Sequence, residues 1–292
     1  MTYLTDRYVN FFTDYGFKRL FGEEPNKDLL RDFLNELLKE EQGTIVDLTY
    51  LKDENLGSTS LDRKAIFDLY CENERGEKFI VELQKAKQNY FKDRSIYYST
   101  FPVQQQARRG AWDYELKAVY TIGILDFVFD EDKNDPDKYR YDIKLQDIVT
   151  NKVFYDKLTF IYLELPKFQK TLDQLETRFD KWLYAIKNLD RLDRVPDSLR
   201  EQVFEKFFEV AEIANFTREE VDKYEDSLKY YRDLKNSFDT ARDEGREEGR
   251  EEGLEEGVLT VARNLLDILD DATIALKTGL SEKEVAALRM EK

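Results

Sequence analysis

The chain has 292 residues, enough for one large domain with a sizeable core or for a domain with appendages. One cysteine and no histidine are present, which excludes an internal disulfide, Ser-His or Cys-His catalysis and the usual zinc sites. A catalytic metal would therefore be held by oxygen, which favours hard ions such as Mg²⁺, Mn²⁺ or Ca²⁺.

Apolar residues occur only in short runs, well below the roughly 18 uninterrupted residues of a membrane span. The N-terminal segment has no basic start, continuous apolar stretch or small-residue cleavage site. We therefore expect a soluble, cytoplasmic protein with no membrane partner.

The net charge of −16 argues against a polyanionic partner, because phosphate binding draws its affinity from lysine and arginine. The charge is unevenly distributed, however, since residues 1–128 carry −4 and the remainder carries −12. Residues 85–117 contain seven basic side chains against three acidic ones. This segment is either a nucleic-acid footprint or an ordinary solvated helix face.

The first half of the chain alternates between helical and strand patterns. Residues 27–41 place leucine and phenylalanine at helical spacing, and residues 45–51 are β-branched and aromatic, as in a strand. The apolar runs AIFDLYCE and KFIVELQ, separated by NERG, predict a hairpin. Residues 88–110 follow as a helix and 116–129 as a buried strand. The expected order is helix, three strands, helix, strand.

The second half becomes helical after two further strands. YDIKLQDIV and KLTFIYLEL predict these strands, with Pro166 ending the second, and residues 168–238 have a helical pattern throughout. We therefore divide the chain into a core (1–166), a helical subdomain (167–239) and a tail (240–292).

The tail contains the repeat DEGREEGREEGLEEG, which places a glycine at every fourth position: Gly245, Gly249, Gly253 and Gly257. Each glycine inside a helix costs about 1 kcal/mol relative to alanine. The repeat is therefore either a partly disordered acidic linker or a stripe for close helix–helix approach, as in a homo-oligomer formed through this helix.

The end of the chain, DDATIALKTGLSEKEVAALRM, predicts a helix, a turn and a second helix capped by Ser281 and Glu284. The same spacing occurs in helix-turn-helix DNA readers. The second helix has few basic or amide side chains to meet bases, which favours a plain helical hairpin.

The predicted hairpin brings acidic residues together. If Glu72 pairs with Lys78, Asp68 lies opposite Glu82, with β-carbons about 4.5–5.5 Å apart. Two like charges at this distance oppose sheet formation unless a divalent cation or another group neutralises them. Gln84 emerges on the same face and could orient a water molecule. Exposed sheet faces also carry carboxylates without any catalytic role, so the pair alone leaves both interpretations open.

The order of these elements around Asp68 and Glu82-x-Gln84 resembles the PD-(D/E)XK nuclease fold. The strings FTDYGFKRLFG, DLLRDFLNELL, FDLYCENERGEKFIVELQ and DRSIYYST are similar to the recombination-promoting nuclease and putative transposase family, as are the glycine-rich repeat and TGLSEKEVAAL. The resemblance implies an α/β (α+β) core, with a central mixed sheet flanked by helices, and a C-terminal helical region.

The same resemblance implies a metal-dependent DNA endonuclease linked to recombination or mobile elements, with Asp68 and Glu82 as ligands of Mg²⁺, or of Mn²⁺ or Ca²⁺. The superfamily motif has lysine where this chain has Gln84. In a regular strand Lys85 points to the opposite face, so we expect Lys64 or Lys87 to supply the missing charge, or the metal alone to do so.

Further site residues are predicted on the same basis. Such folds often take an additional acid from the first helix, for which the candidates are Glu36 and Asp14. For the DNA backbone we expect contacts from Lys87, Arg94 and Arg108, and also from Lys64. Two alternatives stay open: a fold that has lost catalysis and binds DNA or regulates, and a protein-interaction scaffold that works through its acidic helical half and its glycine tail.

Overall fold

The computed structural model describes residues 6–39, 41, 43–51, 54–55, 65–107 and 113–290. By their internal contacts the residues form two compact units, Met1–Asp233 and Leu234–Lys292. None of the helices described is long and apolar enough to cross a membrane.

The first unit begins with short helices that enter the core. Helix α1 (Asp14–Phe17) continues as a π-helical turn, Lys18–Gly22, and is followed by α2 (Lys27–Leu37). Thr13 caps α1, because its hydroxyl accepts a hydrogen bond of 2.9 Å from the backbone N–H of Gly16. The helix predicted over residues 27–41 is present as α2, which ends at Leu37, four residues earlier than expected.

Eight strands lie within the described residues, and six of them correspond to the six predicted strands. In chain order they are β1 (Leu48–Tyr50), β2 (Glu54–Asn55), β3 (Ala65–Ile66), β4 (Leu69–Asn73), β5 (Lys78–Gln84), β6 (Val119–Leu125), β7 (Arg140–Gln146) and β8 (Val153–Glu164). Six of them form one mixed sheet in the order β1-β4-β5-β6-β8-β7, in which β5, β6 and β8 are parallel. Strands β2 and β3 pair separately. The expected mixed sheet with flanking helices is confirmed.

Helices cover both faces of the sheet. Helix α3 (Phe91–Gln105) lies on one face, where its Tyr98 packs beside Ile80. On the other face, α2, α4 (Arg178–Asn188) and α5 (Gln202–Ala211) enclose the main core. Side chains that alternate along β5 supply both faces, as expected from the period of two in a strand. The predicted division between a core and a helical subdomain at residue 166 stays a prediction.

The remaining helices are α6 (Arg218–Leu265), α7 (Asp271–Thr278) and α8 (Glu282–Met290). The predicted capping box is present: Ser281 N–H donates to Glu284 over 2.7 Å, and Glu284 N–H donates to the Ser281 hydroxyl over 3.3 Å. Apolar residues of these helices form a small core of their own. The predicted helical hairpin is confirmed.

All four repeat glycines lie inside the continuous helix α6, and the choice between a linker and an interface between helices stays a prediction. A Cβ added at any of them would meet no described atom within 4 Å outside its own helical turns. Within the described chain, the glycine stripe therefore packs against nothing.

Candidate active site

Asp68 and Glu82 lie together at one end of the β4–β5 hairpin. The observed register pairs Glu72 with Lys78, as predicted, and Leu69 with Val81, which puts Asp68 beside Glu82 in the bend before β4. Two hydrogen bonds link the two positions across the hairpin. Leu83 N–H donates to Asp68 Oδ2 over 2.7 Å, and Asp68 N–H donates to Glu82 Oε1 over 3.4 Å.

Both carboxyl groups are difficult to ionise in this position. Burial raises the pKa of Glu82 to about 8, the Asp68 carboxylate adds to the rise, and the Arg94 guanidinium opposes it. Burial also raises the pKa of Asp68, against the hydrogen bond from Leu83. Two close carboxyl groups that resist carrying two negative charges favour a shared proton or a bound cation.

Gln84 is on the same side as Glu82, as predicted, but its amide is already bonded within the chain. Its Oε1 accepts a hydrogen bond of 2.5 Å from Arg94, and its Nε2 donates one of 2.9 Å to the carbonyl of Ala86. Arg94 also donates to Gln88 over 2.5 Å. In this conformation Gln84 anchors Arg94 next to Glu82, which places a positive charge beside the acidic pair.

Lys85 supplies a second positive charge that the sequence pattern did not reveal. Strand β5 ends at Gln84, and the Lys85 ammonium lies 2.6 Å from Asp14 Oδ1 with its side chain only 7% exposed. Together with Lys18, it opposes the rise in the pKa of Asp68 that burial causes. Lys85 was expected on the face of the strand opposite Gln84, and its charge nonetheless acts on Asp68 from the α1 side.

The position of Asp14 follows from the local structure of the TDYGF segment. Asp14 is the first residue of α1, which Thr13 caps. A Cβ on Gly16 would lie 2.3 Å from the carbonyl oxygen of Asn10, so only glycine fits this turn. Asp14 thus lies near Asp68, and its carboxylate contributes to the raised pKa of Asp68 after burial and against the Leu83 hydrogen bond.

The other acid predicted for the site lies elsewhere. Glu36 forms an ion pair of 4.0 Å with Lys39 and lines a cavity of about 930 Å³ beside Asp137 and Arg140. The structure therefore places Asp14 close enough to affect the pKa of Asp68, whereas Glu36 lines a different cavity.

The residues predicted to bind DNA are in different situations. Lys87 is exposed and forms an ion pair with Asp130, whereas Arg94 is partly buried beside the acidic pair. Lys64 and Arg108 lie outside the described residues. The structure thus adds Arg94 to the site itself and leaves the wider footprint a prediction.

The donor set fits a hard divalent ion in part. Carboxylate oxygens are the ligands that Mg²⁺ and Ca²⁺ prefer, and Asp68 and Glu82 present such oxygens side by side. Burial raises the pKa of both groups, so a bound cation would stabilise their charged forms. Among the residues that the structure describes, no cluster of three or more acidic or cysteine side chains is arranged to hold a metal. Further ligands would come from water and the substrate, as is common for Mg²⁺.

Comparison with protein families gives a match over most of the chain. The model of the PD-(D/E)XK nuclease family transposases matches residues 11–241, which include the sheet, the acidic pair and helices α1 to α5. No curated protein and no solved structure matches the chain significantly. The arrangement of the mixed sheet, the hairpin acids and the extent of this match agree, and the chain belongs to the PD-(D/E)XK nuclease family transposases.

Proposed function

We propose that the protein is an endonuclease that hydrolyses phosphodiester bonds of DNA with Mg²⁺, or a similar divalent ion, held by Asp68 and Glu82. The observation that carries this proposal is the pair of hydrogen bonds that holds the partly buried carboxyl group of Asp68 beside the buried one of Glu82. Membership of a nuclease family supports the reaction class. The link to recombination or mobile elements rests on the transposase description of that family.

Each group around the pair has a role in this proposal. When bound, the ion supplies positive charge to the scissile phosphate and makes water a stronger nucleophile. Asp68 and Glu82 would hold the ion, and Asp14 would be available as a further ligand if its pairing with Lys85 were broken. Arg94 and Lys85 place positive charge near the developing negative charge of the transition state. Gln84 holds Arg94, and directs water once its amide exchanges partners.

The DNA backbone would be held by the basic residues around the site. Lys87 is exposed, and its ion pair with Asp130 is solvent-accessible on both sides, so the lysine can exchange this partner for a phosphate. Lys64 and Arg108 would add to the same footprint. Binding of this kind releases counterions, so the affinity for DNA should fall steeply with increasing salt.

Plasmid cleavage tests the proposal. The full-length protein should nick or linearise supercoiled DNA with Mg²⁺ or Mn²⁺ and not with a chelator. Asp68→Asn and Glu82→Gln should each abolish cleavage, while Glu205→Gln, an exposed residue of α5, should cleave as the native protein does. Equal cleavage by the Glu82→Gln and native proteins would show that a contaminant is responsible.

A second candidate function is DNA binding without catalysis. Gln84 stands where the superfamily motif has lysine, and its amide is bonded to Arg94 and Ala86. Calorimetric titration with Mg²⁺ or Mn²⁺ distinguishes the two functions. A nuclease should bind the ion with an affinity that Asp68→Asn lowers, whereas a protein that only binds DNA should show no such heat while still retarding DNA at low salt.

A further inference from the structure

Strand β7 forms the outer edge of the six-stranded sheet. It is last in the strand order, and in the part of the chain that the structure describes it pairs only with β8. The outer edge of such a strand presents backbone N–H and C=O groups that readily pair with another strand. The side chains of β7 show what kind of partner this edge would accept.

Exposed apolar side chains are concentrated on the β7–β8 hairpin. They are Ile143, Leu145, Ile148, Val149, Val153 and Phe154, of which Ile148, Val149 and Phe154 are more than 80% exposed. A cavity of about 400 Å³ adjoins them, lined largely by apolar side chains that include Ile143 and Leu145. Contiguous apolar surface of this kind usually marks a site of protein association.

The charges beside the cavity favour a protein over a nucleic acid as the occupant. The two lysines that line the cavity, Lys92 and Lys144, form ion pairs with Glu131 and Glu41. The Lys144 pair is mostly buried, so Lys92 alone is left as an exchangeable charge, and the surface offers chiefly apolar contact and strand pairing.

We propose that β7 pairs in antiparallel fashion with β7 of a second copy of this chain, about a two-fold axis that passes through Ile143 and is perpendicular to the sheet. In this register Tyr141 lies opposite Leu145 of the second copy. Asp142, which pairs with Arg140 in its own chain, lies opposite Lys144, which pairs with Glu41, so no like charges face each other. Opposite charges and apolar pairs directly across a ladder stabilise it. The surface is thus complementary to itself, as a two-fold interface requires.

The neighbouring registers are unfavourable. An axis at Asp142 would set Asp142 against its own copy and Arg140 against Lys144, and an axis at Lys144 would set two lysines against each other. The irregular pairing of β7 with β8 is confined to Lys144–Gln146, so the strand is regular up to and through Ile143. The sequence of β7 therefore selects the register centred on Ile143 among these three.

Disulfide cross-linking tests this register. In the dimer, the two residues at position 143 are directly opposed, within the Cα separation of up to about 6.8 Å that a disulfide allows. The native cysteine, Cys71, is fully buried, so Ile143→Cys introduces the accessible thiol. The matched control is Leu145→Cys, at an exposed position on the same face, whose two copies would be about 13 Å apart.

We expect diamide to convert the Ile143→Cys protein largely to a covalent dimer and to leave the Leu145→Cys protein monomeric on a denaturing gel. Comparable cross-linking of both variants, or none of the Ile143→Cys variant, would overturn the proposal.

Native mass gives an independent measurement on the same full-length chain. Light scattering after size exclusion should show a dimer for the native protein and half that mass for Ile143→Lys, which sets two lysines against each other at the axis. Ile148→Lys lies outside the paired strand and should keep the native mass. Thermal unfolding by circular dichroism checks that both variants are folded. A folded Ile143→Lys protein with the native mass would show that β7 is not the interface.

Discussion

Glu82 makes the metal-free protein sensitive to pH. Its pKa rises from an ordinary value of 4.5 to about 8, first because it is buried and then because Asp68 is near. An acid whose pKa is raised by folding binds its proton more tightly in the folded state, so stability falls as pH rises from about 4.5 to about 8. The folded protein then carries a buried charge that the unfolded chain exposes to water.

Glu82→Gln removes this effect, because a neutral amide replaces the carboxylate at nearly the same volume. With a chelator present at pH 8, we expect the variant to have a higher Tm than the native protein, by about 2–4 °C for each kcal/mol gained. The difference should shrink towards pH 4.5. The exposed control Glu205→Gln should show no comparable gain, and a Glu82→Gln protein that melts below the native one at pH 8 would contradict the proposed closeness of the two acids.

Substitution of Lys85 tests which lysine supplies positive charge to the active site. Its ammonium pairs with Asp14 and its charge acts on Asp68, whereas Lys87 pairs with the exposed Asp130. Lys85→Met should lower kcat for plasmid cleavage at least about tenfold even at saturating Mg²⁺, because a fixed positive charge near the transition state is lost. The affinity of the variant for Mg²⁺ should not fall, because the substitution removes a positive charge from beside the proposed metal ligands.

Lys87→Met is the matched control for this measurement. We expect its effect to lie in DNA affinity and in the salt dependence of binding, with kcat close to native. A Lys87→Met protein with the larger loss of kcat would instead support the original expectation from the sequence, in which Lys87 supplies the charge.

At the scale of elements, the turn that carries Asp14 depends on Gly16. Any side chain there would meet the carbonyl oxygen of Asn10 at 2.3 Å, and backbone cannot move away as a flexible side chain can. Gly16→Ala should therefore destabilise the protein by about 1–3 kcal/mol, as overpacking in a well-packed core does. Gly43→Ala, where an added Cβ would meet no described atom within 4 Å, should leave the melting temperature unchanged, as measured by scanning calorimetry of both variants.

The hairpin shows how far local pattern can predict an element. Alternating apolar residues on both sides of a short turn fixed which residues pair, and Glu72 does pair with Lys78. This register alone placed Asp68 beside Glu82. The Lys85–Asp14 pair, by contrast, joins residues 71 positions apart, and no periodicity in either segment indicates that contact.

At the scale of the whole molecule, local patterns predicted which segments are strands but not the order in which they assemble. β6 and β8 were expected as strands, and they lie next to each other and parallel, with β7 outside them. That order joins segments that are more than 30 residues apart in the chain, an arrangement invisible to a window of a few residues. The mixed-sheet fold was anticipated through the family resemblance, and the match over residues 11–241 bears out that part.

The glycine repeat is helical in the structure, although glycine has a low helix propensity. Helix propensity argues against four glycines in one helix, yet α6 continues through Gly245 to Gly257 with nothing packed on them in the described chain. If the glycines only weaken the helix, replacing all four by alanine should stabilise it by up to about 1 kcal/mol each. Amide hydrogen exchange across the repeat should then slow markedly, with no change in native mass.

Gly279→Ala, in the same unit, should have the opposite effect and destabilise its helix. Gly279 ends α7 with φ +82°, a left-handed conformation that alanine adopts only with strain, so this variant should speed exchange in α7. If the fourfold alanine variant instead changes the native mass, the added methyl groups must disturb a contact with another chain. The stripe would then be an interface between copies, because a surface that meets only water accepts a methyl group without altering assembly.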